Sequence, residues 1–224
     1  MKLAIKSLLS CLTLIAALNA VQAGGPLAPL PTIGPFTGTA SETWEVFTNG
    51  SIADFTPIMG GNALIGIANN AGIYQPGVLE YNLGNGGNAE VADGAKGYFS
   101  FNGSSGVIGN TNLGFTQFGA FWGANLGTGS SSIITVVATD VFGTSYLNTF
   151  AYTNVTGTLI WQGWSSTVPL VSIVFSSDAT DEGLVFDGLQ GNFVTVPEPN
   201  AIAVFGIGVV ALIAARQLRT PRRS

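Results

Sequence analysis

Between Gly24 and Val196 every apolar run is short and is broken by Gly or Asn, and none keeps a helical period. A chain patterned this way buries a core by pairing strands rather than by packing helices. The span is 173 residues long, enough for one domain with a sizeable interior. Strands are predicted over 63–68, 77–83, 98–101, 116–124, 133–139, 149–153, 158–164, 170–176, 184–186 and 193–196. Segments 43–48 and 51–55 flank Asn49-Gly50, the dipeptide that suits a two-residue hairpin turn, and predict a hairpin there. Ile133-Ile134-Thr135-Val136-Val137 is β-branched throughout and suits a strand covered on both faces. Pro26, Pro29, Pro31 and Pro35 mark an extended lead-in. Strands at intervals of roughly ten residues predict an all-β fold, an antiparallel β-sandwich or jelly roll.

The two ends read differently. Lys2 and Lys6 precede a mainly apolar stretch, Leu8 to Leu18, and Val21-Gln22-Ala23 has the small-x-small form of a cleavage site. Residues 1–23 are therefore expected to form a signal-peptide helix, cut between Ala23 and Gly24. At the other end Val196-Pro197-Glu198-Pro199 leads into a 15-residue apolar run, Ala201 to Ala215, and then Arg216, Arg219, Arg222 and Arg223. Proline fixes φ and removes a donor, so the first four residues favour an extended segment. As a helix the run would reach about 22 Å, against about 30 Å of hydrocarbon core. An ordinary buried helix would not need four arginines after it. The lengths suit a transmembrane helix that anchors transiently, with the arginines on the cytoplasmic side.

This order of Pro-Glu-Pro, apolar run and arginine cluster over 197–224 closely resembles the PEP-CTERM sorting signal of bacterial exported proteins. The resemblance implies processing by exosortase, a membrane transpeptidase-like enzyme, and association with exopolysaccharide and biofilm matrix. A second resemblance covers Phe115 to Asp187. The series Phe118-Gly119-Ala120-Phe121-Trp122-Gly123, Ile160-Trp161-Gln162-Gly163-Trp164-Ser165, Val168 to Phe175 and Val185-Phe186-Asp187-Gly188-Leu189 looks like the lectin-like jelly-roll ectodomains often joined to such tails.

Removing both ends transforms the charge. The exported domain, 24–196, keeps Lys96 as its one cation beside eleven carboxylates, a net charge of −10 against −5 for the whole chain. Such a surface repels nucleic acid and offers no basic stripe for phosphate. The single cysteine, Cys11, leaves with the signal peptide, so disulfides and thiol chemistry are excluded from the domain. The chain has no histidine, which removes His-based triads and zinc sites. Gly84-Asn85-Gly86-Gly87-Asn88-Ala89 matches a dinucleotide fingerprint on paper, yet no helix-forming stretch follows it, and it reads as a loop.

Carboxylates are the remaining catalytic groups. Glycoside hydrolysis needs two of them facing across a cleft, and Glu42, Glu45, Glu80 and Glu90 qualify by type. Asp178, Asp181 and Glu182 form the tightest acidic cluster, which either binds calcium or serves as a polar turn. No other cofactor is indicated. Trp161 and Trp164 are the candidate glycan contacts, since exposed aromatics stack on sugars. Residues three apart on a strand face opposite ways, so one of the pair belongs to the core. Asn49, Asn102 and Asn154 begin Asn-x-Ser/Thr sequons and read as turn residues. The expected function is a non-enzymatic structural or adhesive protein of the cell surface or extracellular matrix. Its expected partners are the secretion machinery, exosortase, the membrane before processing, and exopolysaccharide. A carbohydrate-binding module is the alternative, and a carboxylate-based glycan hydrolase a more distant one.

Overall fold

A computed structural model describes residues 27–67, 71–76, 90–100, 105–110, 112–126, 128–178 and 183–196. In chain order the strands are β1 (Thr32–Ile33), β2 (Ala40–Glu42), β3 (Gly50–Ser51), β4 (Thr56–Ile58), β5 (Ala63–Ile67), β6 (Ala71–Tyr74) and β7 (Gly97–Ser100). They continue as β8 (Ser105–Gly109), β9 (Leu113–Ala124), β10 (Ser131–Asp140), β11 (Ser145–Thr153), β12 (Ile160–Ser177) and β13 (Leu184–Thr195). The one helix among the described residues is a 3-10 turn, Met59–Gly61. All thirteen strands belong to one open, antiparallel sheet, so the all-β, antiparallel expectation holds. The signal-peptide helix, the strand over 77–83, the glycine-rich loop at 84–89 and the whole sorting signal from Pro197 onward lie outside the described residues. Among those described, no helix is long and apolar enough to cross a membrane.

The central path runs β3-β6-β7-β13-β9-β12-β8-β5-β4. β12 organises it. Its first half, Ile160 to Ser165, pairs with β9, and its second half pairs with β8 on one side and β10 on the other. The sheet folds over along this strand, because Trp122 of β9 meets Phe175 from the far half of β12 at 5.3 Å and Phe150 of β11 at 6.3 Å. Trp44, Trp122, Tyr98, Phe118, Phe175 and Phe186 fill the space between the facing layers. Burying rings of this size supplies much of the driving force, at roughly 25 cal/mol per Å² of apolar surface.

Three sequence expectations are corrected. Residues 43–48 form no strand. β3 pairs with Gly72 and Ile73 of β6, and the 44–47 segment turns, with Phe47 N donating to Trp44 O at 3.0 Å. The cause is Trp44, whose fully buried indole packs on Tyr98 and Phe186 and whose backbone adopts φ +66° to put it there. Segments 158–164 and 170–176 are one strand, as are 184–186 and 193–196 up to Thr195. Pro169 does not end β12 because the ladder there needs only its carbonyl, which accepts from Val141 N at 2.9 Å, next to a bulge. Ile133 stands 44 % exposed, so β10 is not covered on both faces at its start.

Candidate functional site

The antiparallel register sets out the outer face of β13, β9 and β12 as three rows. Asp187, Phe121 and Trp161 make the first, Gln190, Gly119 and Gly163 the second, and Asn192, Gln117 and Ser165 the third. Partners in register share a face, so these nine positions form one surface. Trp164 lies on the opposite face, 2 % exposed, with its ring against Trp122 and Phe150. Of the two candidate glycan contacts it is the core residue, and Trp161 is the one on the outer surface.

Trp161 is half-buried and already has partners. Its Nε1 donates to Ile33 O at 3.1 Å, Phe36 meets it edge-on at 5.8 Å, and Phe121 does so at 5.2 Å. Its indole covers the space left by the two facing glycines. A Cβ on Gly119 would stand 2.5 Å from the ring, and one on Gly163 3.0 Å. The chain from 34 to 39 crosses this same face as a strap. β1 pairs with the far edge of β12 and β2 with the far edge of β13, so the link between them must span β12, β9 and β13. Four strand spacings amount to about 19 Å, within the reach of the seven Cα-to-Cα steps from Ile33 to Ala40. Gly38 N donates to Gln190 Oε1 at 3.0 Å, and Thr39 N to Asn192 Oδ1 at 2.7 Å, fixing the strap. Asn192 Nδ2 in turn donates to Gln117 Oε1.

Asp187 is fully buried at the other end of the face, under the loop around residue 92. Its Oδ2 accepts from Ala92 N at 2.8 Å and Asp93 N at 2.7 Å, and its Oδ1 accepts from Gly188 N at 2.6 Å. Burial pushes its pKa up to about 6, with the three N–H groups opposing the shift and the nearby Asp93 adding to it. Gly188 holds φ +59° at the bulge, a conformation that suits glycine. Beside it Tyr74 donates its hydroxyl to Glu90 O at 2.6 Å, and burial pushes the Tyr74 phenol up as well.

Three other carboxylates are held in the same way. Glu42 accepts from Trp44 N and Met59 N, and Glu45 from Ala95 N and Lys96 N. Asp140 accepts from Phe142 N, Thr144 N and the Tyr146 hydroxyl in the β10–β11 turn. At these positions backbone N–H groups, rather than Lys or Arg, are the carboxylate partners. Lys96 itself donates to the carbonyls of Glu45 and Phe47. Asp178, the described member of the calcium candidate, accepts from Ser132 Oγ at 2.6 Å and Ile133 N at 2.8 Å. Those bonds hold its carboxyl below the usual range, and its own N–H donates to Ile133 O. It thereby extends the β10–β12 ladder by one rung. Asp181 and Glu182 lie outside the described residues, among which no three acidic, Cys or His side chains gather as a metal site.

The strap and the Asp187 clasp were not foreseen in the sequence. Asp187 and Gly188 adjoin in sequence, but the loop that closes on them lies about ninety residues earlier. Compared with known protein families and with curated proteins, the chain matches none.

Proposed function

We propose that this chain is an exported jelly-roll β-sandwich that serves as a structural or adhesive component of the cell surface or extracellular matrix, alongside exopolysaccharide. In this reading the signal peptide exports it, the C-terminal helix holds it briefly in the membrane, and an exosortase-type enzyme cuts near Pro197–Asn200. One observation carries the reading. β13 ends at Thr195, and Val196 is still fixed, its N–H donating to Asn112 O at 2.6 Å and its side chain closing with Pro169 over Gly114. Val196-Pro197-Glu198-Pro199 therefore begins at the residue that directly follows β13. A cut beyond it removes none of the described strands. The commitment of Glu42, Glu45, Asp140 and Asp187 to backbone N–H groups supports a scaffold over a hydrolase.

The test is the intact mass of the protein recovered from the cell surface of a strain with an active sorting enzyme. A product ending near residues 197–200 is expected, and one still ending at Ser224 would overturn the reading. Replacing Pro197 and Pro199 by Ala should leave membrane-bound precursor.

A carbohydrate-binding role is the second reading. It is favoured by Trp161, whose row is followed about 13 Å along the strands by the polar row Asn192, Gln117 and Ser165. A glycan array with and without calcium tests it. Binding abolished by Trp161→Ala in a variant whose melting curve shows that it still folds would put this reading first.

A further inference from the structure

We propose that β11 is a self-association edge, through which two copies of this chain pair antiparallel about a twofold axis at Ala151. Among the described residues β11 hydrogen-bonds to β10 and to no other strand. Its other edge is occupied, among the described residues, only near its start, where Leu147 N donates to Ala28 O. In an antiparallel ladder alternate residues turn their N–H and C=O away from the partner strand. Leu147 points away from β10, so Thr149, Ala151 and Thr153 do too. That leaves a row of backbone donors and acceptors along the second half of the strand.

Natural edges are blunted by charge, proline, a bulge or a cover. Ser145–Thr153 reads SYLNTFAYT, with no charge and no proline, and its pairing with β10 runs without a register shift. The row is also self-complementary. With the axis at Ala151, each Ala151 meets its counterpart and each Thr149 meets Thr153 of the second copy. The three positions then exchange on the order of six backbone hydrogen bonds. The side chains agree with this register. Thr149, Ala151 and Thr153 are exposed, and Ile133, the cross-strand partner of Ala151, is 44 % exposed. Pairing therefore makes one apolar row, Ile133–Ala151–Ala151–Ile133, edged by hydroxyls.

The net charge of the domain does not oppose this contact locally. The Asp178 carboxylates of the two copies would lie about five strand spacings apart, roughly 24 Å, well beyond the Debye length of about 8 Å at physiological salt. Asp140 sits at the far end of the hairpin.

Sedimentation velocity of the full chain in a mild non-ionic detergent is the test, run with four variants. Wild type is expected to show a monomer–dimer equilibrium. Ala151→Asp places two carboxylates directly opposite across the axis and Ala151→Lys two ammonium groups, so each should raise the dissociation constant at least about tenfold. Ala151→Pro removes an outward N–H without removing a β10–β11 bond and should act likewise. Val46→Asp, at a site 87 % exposed on the 44–47 turn, should leave the equilibrium unchanged. Melting curves identify any variant that fails to fold, and the remaining Ala151 variants then decide. A monomeric wild type would overturn the proposal. So would association that persists in folded Ala151 variants, which would assign it to another surface such as the C-terminal apolar run.

Discussion

The indole of Trp161 lies so close over Gly119 that a Cβ on that glycine would stand 2.5 Å from Cζ2. The glycine is not there for backbone freedom; the ring takes the place of its missing side chain. Gly119→Ala is therefore expected to displace Trp161 and Phe36 and to lower stability by about 1–3 kcal/mol, the range for overpacking. Urea unfolding followed by tryptophan fluorescence measures this, and an unchanged midpoint would refute it.

The two candidate glycan tryptophans should separate in stability. Trp164→Ala empties a core site beside Trp122 and is expected to cost about 3–5 kcal/mol. Trp161→Ala removes a half-buried ring and should cost distinctly less. Equal losses for the two variants in the same unfolding assay would contradict this placement.

Glu42 accepts from Trp44 N at 3.0 Å and Met59 N at 2.9 Å, and both of those residues have positive φ. The carboxylate compensates for two strained backbone positions. Glu42→Gln turns an amide group toward one of these N–H donors and should destabilise the fold by about 1–3 kcal/mol. Thermal unfolding reads the loss, and a melting temperature equal to wild type would count against the clasp.

Asp187 gives a pH signature. Its folded pKa, about 6, lies above the ordinary aspartate range, so between the two the native state holds more proton than the unfolded chain. Stability contributed by this group is fully present at low pH, falls as pH rises through that window and levels off above about pH 6. Melting temperatures from pH 3.5 to 7 should show this slope against the opposite trend of Asp178, whose lowered pKa makes stability fall as pH drops. Asp187→Asn should remove the Asp187 slope. If the slope survives the substitution, the assignment fails.

Much of the sheet was legible in its short runs of β-branched and aromatic residues. β5, β7, β9, β10 and β11 fall where β-branched and aromatic residues recur between Gly and Asn. The errors have a common origin in local turn signals overruled at long range. Asn49-Gly50 is a hairpin signal, yet Trp44 gains more by entering the core than 43–48 would gain by pairing. Gly188 and Pro169 fall between the predicted strand segments but sit at bulges inside long strands. The surface around Trp161 was half legible. The spacing to Trp164 put the two on opposite faces, while nothing local told of a strap whose anchors, Gln190 and Asn192, lie some 150 residues away.

The position of β13 has a mechanical consequence. It is an interior strand, bonded to β9 along its length and to β7 and β2 on its other side, and the chain continues from its end. A pull applied beyond Val196 acts along the strand axis. It loads the flanking hydrogen bonds together, in shear, instead of opening them one at a time as tension on an edge strand would. A chain tethered by this end would yield only when many bonds break at once.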